Sequence, residues 1–470
     1  MSDLVRYTPL YLQVKDLILK KIIDAGYGPG SLLPSESSLA KTYGTSISTI
    51  RQAINLMVAE GILSRKQGKG TFIAETRITI NFLSWIPETP RGREILENLI
   101  RQFEAKNPLL AINLIETNYT HAKEDLLRLI SNGTAPDVTQ LVSPWTTYFA
   151  SMGALENISD YLSEENLKNR SFEKDLSGGT YNGKIYSVAW GLCPISLIVN
   201  KNVLANAGIP IGKVPLDLSD FEDICARLSK RFDGVDNYCF GLNVRHDESD
   251  FLRIYSFLQA FGGSFVDDEG RVVFNSHENM EGFGWIKQFT TNNKVFSGDI
   301  YSIRDRFARN EIAFIMDGPW IKYILEELTG EDFDTNFRVI LNPTIRSGAS
   351  LSWNYNHALA ICSQSRNKEY AGRFIDQVTN DPELSSYYYS NTGHLHSNMS
   401  VLNASKYDSD FFRAFRDQLA NSKCINAGNS MFEKAMVLCL DAVKKILFEE
   451  ADIEKELNEK EYYLNMLYYG

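Results

Sequence analysis

One stretch, Pro34 to Ile73, constrains this chain more than any other: PSESSLAKTYGTSISTIRQAINLMVAEGILSRKQGKGTFI. Ser35 can cap a short helix running to Tyr43, and Gly44 breaks it. Thr45 or Ser46 can cap the next helix, in which Ile50, Ala53, Ile54, Met57 and Val58 fall on one face. Thr49, Arg51, Gln52 and Asn55 are left facing out. Two short helices on a tight glycine turn, the second with a polar face, form a helix-turn-helix. Residues 62–64 and 71–73 then predict two strands around Gly68, Lys69 and Gly70, a wing. Upstream, Leu10, Val14, Leu17, Ile18 and Ile22 recur at three- and four-residue spacing. They predict an apolar helix face, ended by Gly26, Gly28, Pro29 and Gly30.

Charge divides the chain at the same place. Residues 1–75 hold nine Lys/Arg and six Asp/Glu, a net of +3, whereas the remainder holds 39 and 53, a net of −14; together they make the −11 of the whole. A basic segment on an acidic chain is the footprint of a nucleic-acid module.

Residues 7 to 74 resemble the GntR family of bacterial transcription regulators. The matching residues are Pro34-Ser35-Glu36, Leu39-Ala40, Tyr43-Gly44, Ser46, Thr49, Arg51, Ala53, Leu56, Glu60-Gly61 and Gly68-x-Gly70-Thr71. The resemblance implies DNA contacts from Ser35, Glu36, Ser46, Ser48, Thr49, Arg51 and Gln52, with Arg65, Gly68, Lys69 and Gly70 in the wing. It implies direct base reading plus backbone clamping. Many family members carry Arg after the serine where this chain has Ile47, so its operator is expected to differ. A single small reader makes few contacts, so a homodimer on a two-fold-related operator is expected.

At 470 residues, 44% of them apolar, the chain has length and apolar content for further compact units. No run of 18 apolar residues occurs, so no membrane span is expected. The opening MSDLVRYTPL lacks a hydrophobic signal segment. The six cysteines are scattered without CxxC or metal spacing, as for buried thiols in a reducing cytoplasm. From Arg77 onward, strand and helix patterns alternate: ITINFL, a helix with Ile95, Leu99, Ile100 and Phe103 inward, AINLIE, and a helix with Leu126, Leu129 and Ile130. This alternation argues a layered α/β body.

The body resembles the sugar-capturing solute-binding proteins of ABC importers over roughly residues 78 to 460. The matching strings include Phe103-Glu104-x-x-Asn107-Pro108, Ala135-Pro136-Asp137-Val138, Gly153-Ala154-Leu155, Tyr181-Asn182-Gly183-Lys184-Ile185-Tyr186, Val199-Asn200-Lys201, Ala207-Gly208-Ile209, Phe261-Gly262-Gly263 and Asp317-Gly318-Pro319-Trp320. The resemblance implies a two-lobe α/β periplasmic-binding-protein-like (type II) fold that closes on its ligand by hinge motion. The expected fold class is therefore multidomain: a small α+β winged helix-turn-helix at 1–75, then this fold at 76–470. Lobe one is expected at 78–190 and 357–394, and lobe two at 196–352 and 400–470. The crossovers are expected near 190–196, 352–358 and 394–399.

Aromatic residues point to the ligand, because sugar C–H faces stack on Trp and Tyr while polar groups bind the hydroxyls. Trp85, Trp145, Trp190, Trp320, Trp353 and Tyr186 fall at loops expected to face the cleft. Asp137, Arg245 and Asp250 are candidate polar contacts, and Trp285, within a helical run, reads as core. A mono- or oligosaccharide effector is the expectation. His394-Leu395-His396 lacks further ligands for a metal site, and Asp267-Asp268-Glu269-Gly270 reads as a hairpin turn. Gly262-Gly263 is no phosphate loop, and no acid pair singles out a glycosidase. Neither metal, cofactor nor catalytic residue is expected. The favoured reading is a ligand-sensing transcription regulator of sugar uptake or utilisation genes. A transport or scavenging module with a vestigial N-terminal part is the alternative, against which the polar face Thr49-x-Arg51-Gln52 argues. A sugar-cleaving enzyme is the third reading.

Overall fold

The computed structural model describes residues 9–24, 27–170, 175–210, 212, 217–244, 248–267, 269–345, 350–402, 407–424 and 431–469. Two units emerge: Met1–Phe82 with Glu97–Ile115, and Leu83–Leu96 with Glu116–Gly470. The first therefore takes in the start of the strand Ile78–Ser84 and part of the helix Pro90–Lys106, together with the N-terminal reader.

The reader has helices Leu10–Asp24, Glu36–Tyr43 and Ile47–Ala59, then strands Leu63–Lys66 and Gly70–Ile73. Ser35 caps the second helix by accepting from the Ser38 N–H, and Gly44 ends it in the left-handed conformation at φ 61°. Ser46 caps the third by accepting from the Thr49 N–H. Ile50, Ala53, Ile54 and Met57 are buried, while Val58 is half-buried. In the first helix Val14, Ile18 and Ile22 are buried, but Leu10 and Leu17 are exposed, so the inward face is narrower than periodicity implies. Lys15 is buried beside them and reaches the Glu60 carboxylate at 2.7 Å. The wing strands pair antiparallel from Leu63↔Ile73 to Lys66↔Gly70, one or two residues longer at the turn than the pattern predicts.

In the body, two buried sheets set the framework. In one, His357–Ile361 lies between Val138–Val142 and Ser187–Gly191, antiparallel to both. In the other the order is Val295–Gly298, Tyr238–Asn243, Ile312–Asp317, Ser196–Asn200, Phe337–Ile340. Its first three strands are parallel, whereas Ser196–Asn200 runs against both its neighbours. Ile312–Asp317 and Ser196–Asn200 are buried on both faces, as continuous apolar runs require. Helix Pro90–Lys106 buries Ile95, Leu99, Ile100 and Phe103 as its period predicts.

The chain segments linking the two sheets are themselves hydrogen-bonded. Leu192 and Leu395 exchange N–H···O bonds at 2.9 and 3.2 Å. The Tyr355 N–H donates to the Cys193 carbonyl at 2.8 Å, and the Ile195 N–H to the Trp353 carbonyl at 3.2 Å. A side chain at Gly191 would place its Cβ 2.7 Å from His394, so this join admits only glycine.

Candidate functional site

Tyr238–Asn243 and Ile312–Asp317 are parallel neighbours, so Asn243 and Asp317 end at the same sheet edge. Binding sites of open α/β sheets form at such carboxyl ends. A pocket opens there, lined by Asn243, Asp250, Arg253, Tyr301, Arg304, Trp320 and Tyr323 on one side, by Trp85, Glu88, Tyr119 and His357 on the other, and by Tyr355 from the linking segments. It encloses about 50 Å³. One water needs roughly 10–15 Å³ on this measure, so this space suits a few waters.

Asp317 organises the second-lobe wall. Its carboxylate accepts from Arg304 Nε at 2.8 Å, Arg304 Nη2 at 3.1 Å, Trp320 Nε1 at 2.8 Å and the Gly318 N–H at 2.9 Å. Arg253 lies 3.4 Å from Asp317 and 4.0 Å from Asp250. Burial works to raise the Asp317 carboxyl, but Arg304 and Arg253 outweigh it and hold the group below its ordinary range. The Trp320 indole folds over Gly318, where a Cβ would stand 2.5 Å from the ring. Its plane stacks on His357 at 5.1 Å and 9°. Burial pushes the Glu88 carboxyl up, opposed by the Tyr119 N–H, Arg304 and the Tyr301 hydroxyl.

Buried arginine and carboxylate charges thus face one another, leaving aromatic surface and neutral polar groups for a ligand. Trp85 meets His357 and Tyr119 edge-on at 5.3 and 5.8 Å. The Tyr119 and Tyr355 hydroxyls lie 2.9 Å apart.

The structure gathers Trp85, Trp320 and Asp250 of the expected ligand set in this pocket. Trp145 sits behind the wall, buried, 5.9 Å from Trp85 and stacked on Tyr119 at 6.2 Å. Three aromatic expectations are corrected. Trp190 is fully buried and stacks on Tyr388 at 4.1 Å and 7°, because its strand is covered on both faces. Trp353 is buried against Tyr255 and Phe265. Tyr186 packs on Tyr181 beside a two-residue hairpin and does not line the pocket. Asp137 is also buried away from it, accepting from the Ser365 hydroxyl at 2.5 Å. Arg245 lies outside the described residues. Trp285 packs on Phe289 and donates to Glu222 at 2.6 Å. Of the pocket lining, sequence reasoning did not name Asn243, His357, Glu88, Arg253, Arg304, Tyr119, Tyr301, Tyr323 and Tyr355. Asn243 and His357 did carry a signal, each being a polar residue at the end of an apolar strand. Among the described residues no cluster of His, Cys, Asp and Glu suits a metal ion, and no helix is long and apolar enough to cross a membrane.

On the reader, Ser46, Ser48, Arg51 and Gln52 are exposed at the N-terminal half of helix Ile47–Ala59, with Thr49 half-buried. Ile47 is exposed beside them. Gly68, Lys69 and Gly70 form the wing tip, both glycines at positive φ. Ser35 is spent on its helix cap. Glu36 accepts from Arg51 and Arg65, joining recognition helix to wing.

Fold and pocket define a two-lobed solute-binding architecture, here on a chain that also carries a winged helix-turn-helix. Residues 98–412 match the bacterial extracellular solute-binding protein family, and the chain belongs to it. Residues 10–73 match the gntR family of bacterial regulatory proteins. The reader is similar to the mannosyl-D-glycerate transport/metabolism system repressor of Escherichia coli (strain K12), 40% identical over 72 residues, which are 15% of this chain and 30% of that repressor. The body shares its fold with the GacH receptor of Streptomyces glaucescens GLA.O, solved unliganded and with acarbose: TM-score 0.74 at 17% identity, covering 84% of this chain and 99% of that one. A solute-binding protein of Thermotoga lettingae TMO bound with α-D-tagatose gives 0.72 at 20% identity, covering 83% and 99%.

Proposed function

We propose that this chain is a ligand-responsive transcription regulator. Residues 1–75 bind operator DNA as a homodimer, and 76–470 sense an uncharged mono- or oligosaccharide in the pocket of Trp85 and Trp320. The observation that carries the reading is the union, in one chain, of a gntR-family reader and a solute-binding body. The neutral-sugar reading is supported by the aromatic wall and by the mutual neutralisation of Arg304 and Asp317. Likeness to the GacH receptor, solved with acarbose, points the same way. The genes controlled would be those for sugar uptake or use, and the site of action the cytoplasm, where operators are.

An electrophoretic mobility shift with DNA from upstream of the chain's own operon tests the first half, repeated with and without sugars for the second. Specific retardation that changes with one sugar is expected. Retardation no stronger than on random DNA would overturn the regulator reading.

A further inference from the structure

We infer that Asn243 and His357, facing one pocket from opposite lobes, are the two groups that read the hydroxyls of the bound molecule. Asn243 offers a donor and an acceptor together, and His357 offers a fixed Nε2–H donor. The inference rests on the proposed reading that this pocket takes an uncharged sugar.

Asn243 is 4% exposed and lines the pocket. Among the described residues neither its amide nitrogen nor its amide oxygen has a hydrogen-bond partner. Buried amides are nearly always bonded, and an unbonded one costs stability. A hydroxyl that accepts from Nδ2 and donates to Oδ1 of the same amide satisfies both ends. Carboxylates and phosphates lack the donor; ammonium groups lack the acceptor. The pair of unmet groups therefore selects a hydroxyl at this point of the ligand, and the uncharged class comes from the proposed sugar reading.

The proton on His357 is set by a chain of forced donors. The Trp85 backbone N–H, which can only donate, lies 3.3 Å from Gln140 Oε1, and the Ser84 hydroxyl donates to the same oxygen at 2.6 Å. This turns the Gln140 nitrogen toward His357 Nδ1, 3.3 Å away. An amide nitrogen also only donates, so His357 Nδ1 holds a lone pair. His394 Nε2, 3.0 Å from the same atom, must donate as well. A neutral His357 ring then carries its hydrogen on Nε2. Burial and Arg304 keep the ring neutral, holding it down at about 3. Gln140 and His394 act through His357 and are positioning residues.

Isothermal titration of the full chain with D-glucose, D-galactose, D-mannose, D-tagatose and maltose tests the inference. The sugar that binds wild type tightest is then titrated into Asn243→Leu, His357→Phe and His357→Gln. Asn243→Leu and His357→Phe should each weaken it at least about tenfold, the scale of an unmet buried partner. His357→Gln, which keeps a nitrogen donor near the Nε2 position, should recover part of that loss. Without sugar, Asn243→Leu should melt no lower than wild type, because it removes an unbonded amide. Long-range ¹H–¹⁵N spectra of histidine-labelled protein, assigned through His357→Gln, should show His357 as the Nε2–H tautomer. Undiminished sugar binding by Asn243→Leu and His357→Phe, or an Nδ1–H tautomer, would overturn the inference and leave the sugar pocket standing. Failure of wild type to bind any of the five would overturn the sugar reading itself.

Discussion

Arg51 of the recognition helix lies 2.9 Å from the carboxylate of Glu36, whose other oxygen holds Arg65 of the wing at the same distance. One acidic group therefore ties together two arginines that the reader would present to DNA. Exposed pairs of this kind contribute roughly 0.2–1 kcal/mol, which a phosphate can displace. Glu36→Gln is expected to tighten binding to random DNA severalfold at low salt and to narrow the gap to operator DNA. Fluorescence anisotropy across a salt series measures both, and unchanged affinity for random DNA would remove Glu36 from the interface. In the same assay Arg51→Ala should lose operator preference. Lys69→Ala should weaken all DNA alike and lower the salt slope by about one unit.

Trp320 and Trp190 should separate cleanly. Trp320→Ala removes the pocket wall stacked on His357 and should weaken sugar binding by on the order of 1–3 kcal/mol. Trp190→Ala leaves a cavity against Tyr388 and should cost about 3–5 kcal/mol of folding stability. Calorimetric titration and denaturant unfolding on both variants read the two quantities. A sugar-specific defect in folded Trp190→Ala would contradict the placement of that ring.

Acid should act through His357. Burial and Arg304 hold its ring down at about 3, and burial beside His357 holds His394 well below the ordinary histidine value. Unfolded, both rings take up protons near ~6.5. Between that value and about 3 the unfolded chain binds the extra protons, so the contribution of these neutral rings is present above ~6.5 and falls as pH drops. The stability difference between wild type and His357→Gln should therefore shrink from pH 7.5 toward pH 5. Subtraction removes the carboxylates common to both proteins. A difference that stays constant would mean that the native ring takes up its proton at the same pH as the unfolded one, so that burial and its neighbours Arg304, His394 and Glu88 do not depress it.

Coupling should depend on the join after the wing. The Ala74 N–H donates to the Ile62 carbonyl at 2.9 Å, and Arg77 pairs with Glu104 at 2.9 Å. Only Glu75 and Thr76 lie between these anchors. A sugar can shift operator affinity only by its differential affinity for the reader's two arrangements, and operator must shift sugar affinity by the same factor. A Gly/Ser segment of about ten residues after Glu75 should leave both bindings intact and abolish that reciprocal shift. Full response in the lengthened chain would route the signal elsewhere.

Local chemistry made the reader legible. Caps at Ser35 and Ser46 and the left-handed Gly44 depend on neighbours in sequence, and the structure places them as the pattern implies. Leu10 and Leu17 fit the period of the first helix yet stay exposed, because periodicity cannot give the width of the surface a helix meets. The tryptophans were ambiguous for a related reason: an indole suits a core and a sugar platform equally. The double-sided burial of 187–191 assigns Trp190 to the core, and that burial comes from tertiary packing. Asn243 and His357 share a pocket only because topology brings distant strand ends together.

The bonds Leu192–Leu395, Cys193–Tyr355 and Ile195–Trp353 make the segments between the sheets a narrow woven plate. Three loose strings would permit shear, twist and bending in any mixture. A plate resists shear in its own plane and flexes most easily about a line across its strands. Any turning of one sheet against the other would then be confined largely to one angular coordinate, set by this weave.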